Sequence, residues 1–136
     1  MPQSHLTTVI ADNASLVEVG SGVLSEPSAG CWDKSDSWKA VRDRMSAISA
    51  LGPDWDGMGG DAPSAALVES LVRYVQFLCE RNEPPPLRIA PTALGTIILE
   101  WQSPGTYVEA ELVSPGLLEI MEVRDGEPAR HSVSHY

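Results

Sequence analysis

The chain has 136 residues, a length that suits a single domain with a sizeable core. Its apolar content of 43% excludes a disordered chain, and the lack of a long apolar run excludes a membrane-spanning helix. Nineteen acidic residues against nine basic ones give a net charge of −10, which disfavours direct binding to nucleic-acid phosphates. Such acidity either attracts a basic partner or serves solubility alone.

The N-terminal part of the chain differs in composition from the rest, since residues 1–30 contain no Lys or Arg. Two short apolar runs, at residues 6–10 and 15–19, favour strands joined by a turn. The Gly-, Ser- and Pro-rich stretches that follow fit a flexible arm equally well. We therefore predict a loosely attached arm or pair of short strands over residues 1–34 and an ordered domain over residues 35–136.

The two cysteines, Cys31 and Cys79, are distant in sequence. Cys79 lies within an apolar helical pattern, so we expect a buried thiol there and no disulfide framework. Because the N-terminus also lacks a signal-peptide pattern, the sequence favours a cytoplasmic protein.

Residues 36–51 have the spacing of an amphipathic helix, and Ser35 or Asp36 can cap its first turn. Four of the nine basic residues lie between positions 34 and 44, so the polar side of this helix is locally basic. That side is either a docking surface or a solvated face. The apolar side chains fall three or four positions apart on one face, at Trp38, Val41, Met45 and Ile48.

The segment Leu51-Gly-Pro-Asp-Trp-Asp-Gly-Met-Gly-Gly-Asp61 follows this helix. Gly52 and Pro53 end a helix, because glycine takes the left-handed conformation and proline cannot continue the helix. The rest suits a tight loop of Asx turns, with the tryptophan as a plug over the core. The motif residues of this loop are Asp54, Trp55, Asp56, Gly57 and Gly59.

The Asp-x-Asp-Gly start of the loop also resembles that of a calcium-binding loop. Counted from Asp54, however, the third ligand position is Met58 and the twelfth is Ala65, and neither supplies a side-chain oxygen. We therefore predict no metal and no other cofactor, and keep a metal loop built from Asp54, Asp56 and Asp61 as an alternative.

A second helix is predicted over residues 64–81, capped by Ser64 after Pro63. Its two neighbouring apolar stripes leave a narrow polar strip, so we expect it to lie buried against a sheet. A proline-rich break at residues 84–86 ends it. Strands are then predicted over residues 87–90, 96–101, 106–113 and 117–123, with an edge strand over residues 129–136.

The turns between these strands are short enough to require antiparallel neighbours. The predicted fold class is α+β, with two helices packed on one face of an antiparallel meander sheet of three to five strands. On its other face, Tyr107, Glu109 and Glu111 point outward, and Glu100 lies on the neighbouring strand. These carboxylates fit either an acid/base pair or the wet face of a one-sided sheet. We predict a partner-binding surface formed by Glu100, Tyr107, Glu109 and Glu111.

Two motifs resemble a family of small bacterial proteins. One is Trp55-Asp-Gly-x-Gly59 before a helix that starts at Pro63-Ser64, and the other is the strand Gly95-Thr-Ile-Ile-Leu-Glu-Trp101. The resemblance covers roughly residues 36–123 and implies the same helix-then-sheet architecture, but it implies no activity. This chain departs from the motif at Gly60-Asp61, where the family continues with Ala and a small residue or Pro.

The rest of the sequence contains no recognisable catalytic motif. There is no Gly-x-Ser-x-Gly elbow and no phosphate-binding loop. His131 and His135 would share one face of a strand, with Glu119 or Glu122 nearby, which is a conceivable donor set for a metal. Both histidines lie in the last six residues, where chains commonly fray.

The sequence therefore favours a non-enzymatic, acidic interaction module, such as a small regulator, antitoxin or immunity-type inhibitor that binds a basic protein partner. Neither direct nucleic-acid binding nor membrane binding is expected. Two alternatives stay open: a metal-dependent enzyme that uses the Asp54/Asp56/Asp61 loop, and a homodimeric component of a larger assembly.

Overall fold

The computed structural model describes residues 29–136, so the strands predicted at residues 6–10 and 15–19 lie outside the described residues. The helices are α1 (Ala29–Trp32), α2 (Asp36–Ser49) and α3 (Ala65–Glu80). The strands are β1 (Arg88–Pro91), β2 (Ile97–Ser103), β3 (Thr106–Ser114), β4 (Leu117–Arg124) and β5 (Arg130–His135).

Both long helices begin at the predicted serine caps. The Ser35 hydroxyl accepts a hydrogen bond from the Trp38 backbone N–H at 3.2 Å, and the Ser64 hydroxyl accepts one from Leu67 N–H at 3.1 Å. Each cap satisfies one of the N–H groups that the first helical turn leaves without a partner. Asn82, with a φ of 59°, reverses the chain after α3.

The five strands form one antiparallel sheet in the order β1-β2-β3-β4-β5, which confirms the predicted meander. Gly105 and Gly116 close the two central hairpins with a φ of 78°, a left-handed conformation that glycine adopts without a steric penalty. The α+β class, with both long helices packed against the sheet, is likewise as predicted.

The core lies between the helices and the inner face of the sheet. The apolar stripes of α2 and α3 join the inward side chains of β1 to β4 in one buried cluster. Fully buried members on the sheet side are Ile97, Leu99, Val108, Ala110, Leu112 and Leu118. The tryptophan of the motif loop, Trp55, is not part of this cluster, so its predicted role as a plug over the core is wrong.

A disulfide between Cys31 and Cys79 joins α1 to α3, with the two Cα atoms 6.0 Å apart. The expected Cys79 thiol is therefore wrong, because α1 folds back onto α3 and brings Cys31 against it. Trp32 is buried beside the disulfide, and the Lys34 ammonium donates to the Cys79 carbonyl and, at 2.7 Å, to Asn82 Oδ1. Residues 31–34 of the predicted arm thus pack on the domain.

The last residue is held against α3. The Tyr136 hydroxyl lies 2.6 Å from Ser70 Oγ, and its backbone N–H donates to the Gly116 carbonyl at 2.9 Å. Burial raises the pKa of Tyr136 to about 12, although its bond with Ser70 acts in the opposite direction. At this end, where the sequence suggested fraying, β5 pairs with β4 and Tyr136 contacts Ser70 and Gly116. Within residues 29–136, no helix has the length and apolar character needed to cross a membrane.

Candidate functional site

Four carboxylates meet on the outer face of the sheet, the face opposite the helices. The strand register places Glu100 directly across from Glu109, and Glu111 directly across from Glu119. Residues paired in this way have Cα atoms about 4.5–5.5 Å apart. Four negative side chains therefore share a small area, which we call the acidic face.

Two of these carboxylates are bound by neighbours. Arg88 on β1 donates to Glu100 at 2.6 Å, and the Tyr107 hydroxyl donates to Glu109 at 2.9 Å. Partial burial, followed by the hydrogen bond to Glu109, raises the pKa of Tyr107. Tyr107 therefore stays neutral at physiological pH and acts as a hydrogen-bond donor on this face.

The negative charges of the other opposed pair, Glu111 and Glu119, are offset by fewer neighbouring groups. The Thr96 hydroxyl donates to Glu111 at 2.7 Å, a neutral contact that leaves the negative charge in place. Glu119 is exposed and forms no ion pair within residues 29–136. Since like charges directly opposite each other on a sheet are destabilising, this pair is an electrostatic cost of the folded chain.

Apolar side chains border the acidic face. Met121 lies directly across from Glu109, and Ile98 directly across from Glu111. Val123 is 37% exposed and Val133 is 60% exposed on the same side of the sheet. The outer face therefore carries apolar side chains among its carboxylates.

The structure brings together the four residues predicted for partner binding and adds two that the sequence interpretation missed. Glu119 alternates with buried Leu118 and Ile120, so the sequence was sufficient to predict that its side chain points to the outer face. Its position opposite Glu111 could be known only from the strand register. Arg88 had no sequence signal for its pairing with Glu100.

The aspartates of the motif loop bind their own backbone. Asp56 Oδ1 accepts from the N–H groups of Met58 and Gly60, both at 2.9 Å, and Asp54 Oδ1 accepts from Gly59 N–H at 2.6 Å. The Met58 and Gly60 N–H groups hold the pKa of Asp56 below its ordinary value. These aspartates therefore fix the shape of the loop.

The rest of the loop closes in the same way. Gly57, with a φ of 75°, donates to the Asp54 carbonyl at 3.0 Å, and the Trp55 indole donates to the Asp61 carbonyl at 2.9 Å. Asp61 N–H donates to the Ala93 carbonyl at 2.9 Å, which ties the loop to the segment before β2. Trp55 thus closes the loop on itself, and this explains why it lies outside the core.

His131 and His135 share the outer face, across from Met121 and Leu117. Glu119 lies between those two positions, whereas Glu122 points inward and is 6% exposed. Within residues 29–136, no group of three or more His, Cys, Asp or Glu side chains has an arrangement that would hold a metal ion. The metal alternatives therefore gain no support from the described geometry.

Comparison with protein-family models, with curated proteins and with solved structures finds no match to this chain. The motif resemblance to small bacterial proteins therefore stays a prediction from the sequence.

Proposed function

We propose that this protein is a non-enzymatic interaction module whose acidic face binds a basic surface on another protein. Glu109, Glu111 and Glu119 would receive the cationic side chains, while Tyr107 donates a hydrogen bond and the bordering apolar groups are covered. A small regulator or inhibitor of a basic protein fits this description.

The observation that carries the proposal is the pair of directly opposed carboxylates at Glu111 and Glu119. Neither is neutralised by a cation within residues 29–136, although the chain has nine basic residues. A partner's Lys or Arg placed between them would turn a repulsion into two attractions. The net charge of −10 adds long-range attraction for the same kind of partner.

The test uses a soluble peptide that alternates Lys with Val, added to the isotopically labelled full chain. We expect amide shifts in NMR spectra at β2, β3 and β4, where the acidic face lies. Binding should weaken steeply with salt, because the screening length falls from about 10 Å at 0.1 M to about 3 Å at 1 M.

A matched pair of triple variants separates the acidic face from net charge. E109Q/E111Q/E119Q removes three charges from the face, and D43N/E69Q/E127Q removes three from exposed side chains elsewhere. We expect the first variant to lose binding and the second to retain most of it. Equal losses in both variants, or binding that is indifferent to salt, would contradict the proposal.

Self-association is a second candidate, favoured by one observation. Strand β5 pairs with β4 along one edge, while its other edge has no strand partner within residues 29–136, and Val133 on it is 60% exposed. Such an edge is a template for pairing with a second chain. Light scattering over a range of protein concentrations tests this, since a constant monomer mass would exclude the homodimer.

A further inference from the structure

A groove lies at the opposite end of the domain from the motif loop, between α2, the proline segment 84–86 and the adjoining ends of β1 and β2. Its volume is about 800 Å³, within the range of small-molecule binding sites. The face of α2 that lines it carries Ser37, Ala40 and Val41, and two small residues among these three keep the groove open.

The apolar walls of the groove are rigid. Pro84, Pro85 and Pro86 have restricted backbone angles, and Trp101 at the floor is 4% exposed. The Trp101 indole donates to the Pro84 carbonyl at 3.1 Å, which fixes the ring against the proline segment. Leu87 at the rim is 72% exposed. A preformed groove with apolar walls suits a ligand with an apolar body.

The charge of the groove is opposite to that of the protein. Arg44 and Arg88 line it, and its lining within residues 29–136 contains no Asp or Glu. Arg88 is paired with Glu100, but Arg44 forms no ion pair within residues 29–136. A guanidinium that has no ion-pair partner among the described residues, beside an apolar groove on a chain with a net charge of −10, would favour an anionic ligand.

We propose that this groove binds a small anionic ligand with a flat apolar body, of the aromatic carboxylate class. The body packs against Pro85, Leu87 and the Trp101 ring, and the carboxylate accepts hydrogen bonds from Arg44. Arg88 lines the groove and pairs with Glu100, but none of the four carboxylates of the acidic face lines the groove. The outcome for this site therefore leaves the proposed interaction with a basic partner untouched.

The probe is 8-anilinonaphthalene-1-sulfonate, an aromatic anion that fluoresces in apolar surroundings, titrated into the folded full-length chain. Its uncharged analogue, N-phenyl-1-naphthylamine, is titrated in parallel. We expect saturable binding of the anion, weaker binding of the neutral analogue, and a shift of the Trp101 indole N–H resonance in NMR spectra.

Two charge reversals on α2 give the matched comparison. R44E should weaken binding of the anionic probe by about tenfold, the size of one charge-assisted contact, and should leave the neutral analogue unchanged. R42E makes the same charge change outside the groove and should change binding of the anion by less than about twofold. R44Q replaces R44E if the latter unfolds.

The inference would be overturned by an absence of saturable anion binding, by equal weakening in R44E and R42E, or by NMR shifts confined to residues outside the groove. Equal binding of the charged and neutral probes would likewise exclude selection for an anion.

Discussion

Gly60 is the glycine of the motif loop at which an added Cβ atom would make the closest contact. A Cβ atom there would lie 2.5–2.8 Å from the Asp56 carboxyl atoms, and two backbone hydrogen bonds hold that carboxyl in place. Glycine at this position is thus required by a close approach. The Asp and Gly pattern of the sequence predicted a tight loop, but which glycine contacts which aspartate depends on the path of the chain.

Gly60→Ala should lower the free energy of unfolding by about 1–3 kcal/mol, because the added methyl group overpacks the loop. Gly52→Ala is the control, since a Cβ atom there meets nothing within 4 Å. Urea denaturation of both variants measures the difference. Equal unfolding midpoints would show that the loop rearranges without cost.

The pH dependence of stability follows from the lowered pKa of Asp56, whose ordinary value is 3.8. Because the unfolded chain binds this proton at a higher pH than the folded chain does, the contribution of Asp56 is fully present above 3.8. This contribution to stability is lost as the pH falls from 3.8 through the lower pKa that Asp56 has in the folded chain. Asp56→Asn should therefore flatten the fall in melting temperature between about pH 5 and pH 2. Parallel curves for the two proteins would contradict this assignment.

At the scale of elements, local signals determined most of the fold. Serine caps and apolar stripes placed α2 and α3 within two residues of their observed ends, and alternation with short turns placed all five strands. The packing of α1 could not be predicted in the same way. It depends on a contact between Cys31 and Cys79, which are 48 residues apart and share no periodic pattern.

The disulfide should contribute to stability by limiting the unfolded chain. In the chain-entropy treatment, a closed loop of this length is worth about 4 kcal/mol. Adding a reductant should therefore lower the urea midpoint of the wild-type chain. The C31S/C79S variant should unfold at the lower urea midpoint with or without reductant. A wild-type midpoint that does not change when reductant is added would contradict the prediction.

At the scale of the whole molecule, the charges of the acidic face that would favour binding of a basic partner lower the stability of the isolated chain. The opposed charges of Glu111 and Glu119 are unfavourable in the isolated chain, so their removal should help folding. The alternation of apolar and polar residues identified most of the acidic face, because successive side chains of a strand point to opposite faces of the sheet. The groove lined by Arg44 and Arg88 could not be predicted from sequence alternation. Its walls come from α2, a loop and two strands that only the tertiary fold brings together.

Glu119→Gln should raise the free energy of unfolding by about 0.2–1 kcal/mol at low salt, as expected for removing one of two opposed like charges. The gain should shrink in high salt, where the repulsion is screened. Asp43→Asn, at an exposed α2 site 3.8 Å from Arg42, is the control and should produce no gain. A stability loss in Glu119→Gln would show that its carboxylate is favourably placed.

The strictly sequential order of the sheet also determines when the parts of the protein can form. Each strand pairs with its neighbour in sequence, so the hairpins close over short loops, on a timescale of about 1–10 μs. The helices precede the sheet along the chain, and their apolar stripes have no surface to cover them until β2 and β3 have left the ribosome. We therefore expect pulse-labelled hydrogen exchange during refolding to protect the β2–β3–β4 amides before those of α2, and the reverse order would show that the helices nucleate folding. We therefore expect the newly made chain to be most exposed to aggregation in the interval between the emergence of α3 and that of β3.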